Sequence, residues 1–314
     1  MLCKPSSSVT GNALEWRTRR RKRQVMYAHQ EVDTLQDMGR VALVTGATQG
    51  LGLALVESLA ARLESEDIVY LTGRDGSRIA DARAGLSPGR AEVRGELLDV
   101  SGDETVAETA ARLIDRHGSL DIVISNAYGR ILPADRPERV IAGYTETNNL
   151  GTTRVLRAFA PTLRDGGTLL VVASTLGTLY YLAPVLHGRF DELETLEDVD
   201  VAVGRWQEAV EVGSALAEAW PGFLNIPSKI AQVAAVRVLT RQRRRSDLER
   251  GILLASVCPG MIDTGASRPW FDMRHAQSPA QAAGPLVDLA LRDSLDASTY
   301  GELVRFGHVL PWKP

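Results

Sequence analysis

Cysteine is nearly absent. The chain has 314 residues and two cysteines, Cys3 and Cys258. Two cannot build a disulfide framework, and they supply too few ligands for a cysteine zinc site. No metal site is expected, and a reducing, cytoplasmic setting fits. Long hydrophobic runs are also missing. No stretch reaches the roughly 18 apolar residues of a membrane span, so no transmembrane helix is expected. Charge of one sign is scarce, with 36 basic and 39 acidic residues and a formal net charge of −3. That argues against nucleic-acid binding by the chain as a whole. No internal repeat is visible.

The basic charge present is concentrated early. "RTRRRKR", Arg17 to Arg23, has no apolar periodicity. Residues 1–38 are expected to be a basic, disordered extension, with Met38 as the functional start. A basic arm for nucleic acid or a membrane surface is the alternative. A secretory signal is excluded, because no apolar stretch follows the charges.

From Val41 onward, short apolar runs alternate with helical patterns. Strands are predicted at 41–46, 67–73, 91–100, 120–127, 167–175, 251–260 and 301–309. Helices are predicted at about 51–64, 103–117, 137–164, 227–245 and 279–291. Several strands are apolar almost throughout, which implies burial on both faces and therefore a parallel sheet. The expected fold is α/β: a Rossmann-type, doubly wound parallel sheet of about seven strands, in one domain over 39–314. Residues 176–224 interrupt the alternation. A structureless loop of that length would be unusual. Its "VAVGRWQEAVEVGSALAEAW" segment predicts a helical insertion before the helix that contains Lys229.

"VALVTGATQGLGLALVESLAARL" reads as strand, glycine turn, helix, with glycines at 46, 50 and 52. Glycine allows the tight turn and close approach of backbone to a pyrophosphate. The helix N-terminus adds free N–H groups and a positive dipole end. After the second strand, Arg74 is placed to meet a 2′-phosphate, which favours NADP(H) over NAD(H). Asp75 follows it; a carboxylate at this place would bind the ribose hydroxyls instead, and a loop carboxylate facing water is the simpler reading. Asp99 is placed to face an adenine edge or to cap the next helix.

Together these residues resemble the short-chain dehydrogenase/reductase superfamily. "TGATQGLG" matches its TGxxxGxG turn. "SNAYG" sits where that family has NNAG, "TNNLGT" resembles its central-helix motif, and "VCPGMIDT" matches its PGxxxT segment. The resemblance implies that Thr45, Gly46, Gln49, Gly50, Leu51 and Gly52 cradle the cofactor. It adds Arg74, Asp99, Asn126, Lys229, Pro259, Gly260 and Thr264 around it. The insertion, and Trp220-Pro221 before the lysine helix, resemble the monomeric carbonyl reductases. A monomer acting on a small molecule is implied.

The family's tetrad is Asn, Ser, Tyr and Lys. Asn148 matches the first, whose usual role is to hold a water in a proton relay. The serine position falls on Thr175, beside Ser174; either hydroxyl can orient a carbonyl, and Thr175 fits the register better. Lys229 matches the lysine that binds the nicotinamide ribose. Four residues earlier, where tyrosine belongs, stands Asn225. Residues four apart share a helix face, so Asn225 is expected in the same cleft. A carboxamide donates hydrogen bonds but surrenders no proton near neutral pH. Tyr128, in the NNAG glycine position unless the loop shifts to use Gly129, is a candidate replacement phenol, as are Tyr180 and Tyr181. Packing is the simpler reading for each. Arg130 and His187 are expected near the mouth, with Trp270 and Phe271 in its walls or in a lid.

Three functions fit these residues. The first is reduction of a carbonyl, iminium or conjugated acceptor by hydride transfer from NADPH with an atypical proton source. The second is a non-redox cyclase, isomerase or dehydratase. The third is a catalytically silent NADP(H)-binding protein.

Overall fold

Four consecutive buried residues make β1 (Val41–Val44), the strand that feeds the glycine turn. The computed structural model of the protein describes residues 39–314, and Arg40–Pro314 forms one unit. The expectations for residues 1–38 lie outside the described residues. After β1 come β2 (Ile68–Gly73), β3 (Glu92–Leu97), β4 (Leu120–Ser125), β5 (Leu163–Val172), β6 (Leu253–Val257), β7 (Leu303–Arg305) and β8 (His308–Leu310). They form one sheet in the order β3-β2-β1-β4-β5-β6-β7-β8. Every pairing is parallel except β7 with β8. This is a Rossmann-type α/β fold. Its chain order reverses between β1 and β4, which opens a crevice at their carboxyl ends.

The sheet has eight strands rather than about seven, because the run at 301–309 folds back on itself. Phe306 and Gly307 both take positive φ, 49° and 79°. Two such residues make the tight turn that suits an antiparallel pair.

The helices longer than five residues are α1 (Gly50–Arg62), α2 (Gly76–Ala84), α3 (Asp103–His117), α4 (Pro137–Thr145), α5 (Gly151–Phe159), α6 (Leu196–Glu211), α7 (Asn225–Glu249) and α8 (Pro279–Ala290). Helix α2 was not legible, since it buries only Ile79 and so lacks apolar periodicity. The single helix expected over 137–164 is divided by a π-helical turn, Glu146–Leu150. The insertion helix lies earlier than its apolar pattern suggested. Thr195 and Asp198 form a reciprocal cap that starts α6 at Leu196. Gly213, at φ 80°, lies just beyond its end, so "GSALAEAW" does not continue it. The insertion has its own aromatic core. Trp220 packs against Phe190 and Trp206 at centroid distances of 6.1 and 6.3 Å.

Candidate active site

The glycine turn meets the steric demands of an anion cradle. Gly46 and Gly50 have φ of 62° and 59°. A Cβ on Gly52 would lie 2.5 Å from both Asn126 Nδ2 and the Gly46 carbonyl oxygen. Only glycine fits there. The Gln49 side chain makes no cap hydrogen bond to α1, and the first turn of α1, which contains Leu51, has no acidic residue. The N-terminal amides of α1 are thus left for an anion, as a dinucleotide pyrophosphate requires. Thr45 and Asn126 brace this turn. Thr45 Oγ1 accepts from the amides of Asn126 and Ala127 at 2.8 and 2.9 Å. Asn126 Nδ2 donates to the Thr45 carbonyl at 3.0 Å.

Arg74 is exposed at the end of β2 and has no ion pair among the described residues. Asp75 is not the free loop carboxylate expected. It caps α2, accepting from the amides of Ser77 and Arg78 at 2.9 and 3.1 Å. Arg78, four residues after Arg74 and within α2, donates to Gln49 Oε1 at 2.9 Å and so reaches the glycine turn. Asp99 closes a local turn by accepting from Ser101 N and Oγ at 3.0 and 2.7 Å, while Gly102 occupies the cap position of α3. Thr264 comes over the same turn, its Cγ2 3.8 Å from the position of a Gly50 Cβ. Gln277 holds the Pro259 carbonyl, and Gly260 needs its positive φ of 84°.

Behind the crevice, Lys229 and Asn148 are buried. Lys229 Nζ donates to the Val172 carbonyl at 3.1 Å and to Gln232 Oε1 at 2.7 Å. Burial lowers its pKa to about 8. Asn148 exchanges two bonds with the Gly129 backbone, at 2.7 and 3.1 Å. Ser174 caps the short turn Thr175–Gly177, accepting from the Leu176 amide. Thr175 Oγ1 has no protein partner among the described residues, and Ser174 Oγ only accepts, so both hydroxyls keep a proton to donate. The turn lies against α7, because a Cβ on Gly177 would lie 2.9 Å from the Lys229 carbonyl oxygen.

Asn225 opens α7 and draws two phenols. Tyr128 Oη donates to its Oδ1 at 3.2 Å, and Tyr144 Oη donates at 2.7 Å. Both act on one amide oxygen, so the carboxamide is held and its Nδ2 is left without a protein partner among the described residues. The Lys229 ammonium lies 5.3 Å from the Tyr128 ring centroid, within cation–π range. Burial raises the pKa of both phenols, most for the fully enclosed Tyr144. Both are therefore protonated at neutral pH.

Tyr180 and Tyr181 are not brought to this cluster. They are exposed, 71% and 41%, and pack edge to face on each other. His187 is held within the insertion, its Nε2 2.9 Å from the Leu182 carbonyl. Arg130 donates to the Gly265 carbonyl, linking the loop after β4 to the segment after Gly260. Trp270 donates to the Ile131 carbonyl and packs 5.0 Å from Phe223, with Phe271 at the edge of the same aromatic group. Tyr144, Gln232 and Arg78 were not anticipated. Only the four-residue spacings of Arg74 with Arg78 and of Tyr144 with Asn148 offered a signal, and neither distinguishes a site from ordinary spacing along a chain.

The short chain dehydrogenase family model matches residues 40–185. Carbonyl reductase [NADPH] 1 of Rattus norvegicus is 29% identical over 277 residues, covering 87% of this chain and 98% of that protein. Its Homo sapiens counterpart is 30% identical over 279 residues, with the same coverage of 87% and 98%. Among solved structures, menthone neomenthol reductase from Mentha piperita is similar with a TM-score of 0.67 at 23% identity, over 86% of this chain and 99% of that one. With the Rossmann-type sheet, the glycine turn and nearly full-length relatives in agreement, the chain belongs to the short-chain dehydrogenase/reductase family of oxidoreductases.

Proposed function

We infer that the protein is an NADP(H)-dependent reductase of a small organic carbonyl, iminium or conjugated acceptor, with Tyr128 in place of the usual proton donor. The observation behind this reading is the convergence of Tyr128 on Asn225, beside Lys229. NADPH, when bound, supplies the hydride. The glycine turn, with α1, takes the pyrophosphate. Arg74 and Arg78 take the 2′-phosphate, a role favoured by the commitment of Asp75 to its helix cap. Lys229 has three N–H donors and spends two on Val172 and Gln232, which leaves one for a ribose hydroxyl.

Thr175 Oγ1 and Asn225 Nδ2 orient the acceptor and stabilise oxygen charge as it develops. An alkoxide is far more basic than a phenolate. A Tyr128 phenol with a raised pKa therefore still delivers its proton, and it is reliably protonated beforehand. The insertion beside α7 and the aromatic group at Trp270 wall the substrate side. We further read the protein as a cytoplasmic monomer, on the likeness of its insertion to that of monomeric carbonyl reductases. Among the described residues, no helix is long and apolar enough to cross a membrane.

The test has two stages. NADPH titration by fluorescence should give saturable binding, tighter than NADH. Then 4-deuterated NADPH, offered with activated diketones, enones and cyclic iminiums, should place deuterium in a product. No binding at millimolar NADPH sinks the reading. Product without cofactor or deuterium moves the assignment to non-redox chemistry.

The lysine adds a pH signature. Lys229 is charged below about 8 and neutral above it. NADPH affinity should fall as pH rises through that value, and Lys229→Met should remove the inflection. Folding responds in the opposite sense. Burial penalises the charged form, so this residue's contribution to stability rises from about pH 8 toward the ordinary lysine value of 10.5.

A further inference from the structure

Gln232, one turn after Lys229, is 3% exposed and has every polar group of its side chain engaged. Its Oε1 accepts from Lys229 Nζ at 2.7 Å. Its Nε2 donates to the Asn148 carbonyl at 2.8 Å and to Thr152 Oγ1 at 3.0 Å. Thr152 in turn donates to the same Asn148 carbonyl at 2.7 Å. The orientation of the amide is fixed by chemistry. An ammonium can only donate, and a carbonyl can only accept, so a flipped amide would lose both bonds. The acceptor on the far side belongs to the π-helical turn, where the regular helical ladder is interrupted. We propose that Gln232 is a positioning residue whose carboxamide stands where a water would otherwise join Lys229 to Asn148.

The substitution has a chemical consequence. A water accepts a proton on one side and releases another, so it passes protons between its neighbours. A carboxamide joins the same two groups but neither gains nor loses a proton near neutral pH. Gln232 therefore keeps Lys229 in register while closing the route from the lysine into the interior through Asn148. Protons that replenish the cleft arrive from its open side. Two amides, Gln232 and Asn225, then stand at positions where proton carriers would otherwise be placed. This closure does not depend on the redox reading.

Two substitutions separate a polar bridge from a simple filler. Gln232→Ala empties a space lined by Lys229 Nζ, the Asn148 carbonyl and Thr152 Oγ1, three polar partners that suit one water. Gln232→Leu fills the space without polar atoms. A crystal structure of the alanine variant should contain a water bonded to Lys229 Nζ and the Asn148 carbonyl. A collapsed or dry gap overturns the proposal. In NADPH titrations the alanine variant should stay within about threefold of the parent, because a bridging water is nearly as good as a direct bond. The leucine variant should bind about tenfold more weakly or worse, because the lysine loses a charged hydrogen bond. Equal affinities for the two variants overturn it as well. If the parent protein binds no NADPH, the reductase reading fails, and the crystal structure alone decides this proposal.

Discussion

Tyr128→Phe should lower kcat for reduction of a neutral carbonyl by about 10²- to 10⁴-fold, the usual contribution of a general acid. The phenylalanine ring still covers the Lys229 ammonium, so NADPH affinity should be nearly unchanged. Only the hydroxyl 3.2 Å from Asn225 Oδ1 is removed. Tyr144→Phe is the matched control. Tyr144 also touches Asn225 but is buried, so its loss should loosen the carboxamide and reduce kcat far less. A cationic iminium needs no proton at the reacting atom, so with that acceptor Tyr128→Phe should be nearly silent. Steady-state kinetics on the two acceptor classes distinguish these cases. Full carbonyl activity in Tyr128→Phe would remove Tyr128 from the chemistry.

The second large effect is a gain. Asn225→Tyr would place a phenol four residues before Lys229, on the same face of α7. From sequence alone, that change is expected to create or raise activity on activated ketones. The structure adds a second requirement. The oxygen of Asn225 already has phenol oxygens at 3.2 and 2.7 Å, so a third ring enters occupied space. Overpacking of this kind costs about 1–3 kcal/mol and displaces neighbours. Asn225→Tyr by itself should therefore gain little. Combined with Tyr128→Gly, which clears the ring, it should raise kcat/KM on an activated ketone by about 10²-fold or more over Tyr128→Gly alone. No gain in the double variant, with NADPH binding intact, would mean that the cleft has been rebuilt for another reaction.

The legible and illegible parts of this protein separate by the range of the interaction involved. The glycine turn was readable because positive φ at Gly46 and Gly50, and the lack of space for a Cβ on Gly52, are demands met at single positions. The central strands were readable because β1 and β6 are buried along their whole length, so β1 is apolar throughout and β6 is apolar at every residue but Ser256. Helix α3 was readable over 103–117 from its regular apolar face. The late hairpin was not separated from a single strand, because its turn begins at Phe306, a residue type that carries no turn signal although its φ is 49°.

The hydrogen bonds at the candidate site belong to the other class. Asn225 marks an unusual position in the sequence, but nothing near it reveals that Tyr128 and Tyr144, 97 and 81 residues away, donate to its oxygen. Gln232 looks like one more residue on a helix until the π-helical turn brings the Asn148 carbonyl against it, 84 residues distant. Backbone conformation and burial leave their mark on the residue that experiences them, so the cofactor cradle can be read along the chain. A side-chain hydrogen bond depends on where two distant elements meet, and the proton logic of the cleft becomes visible only once the sheet has brought α4, the π-helical turn and α7 together.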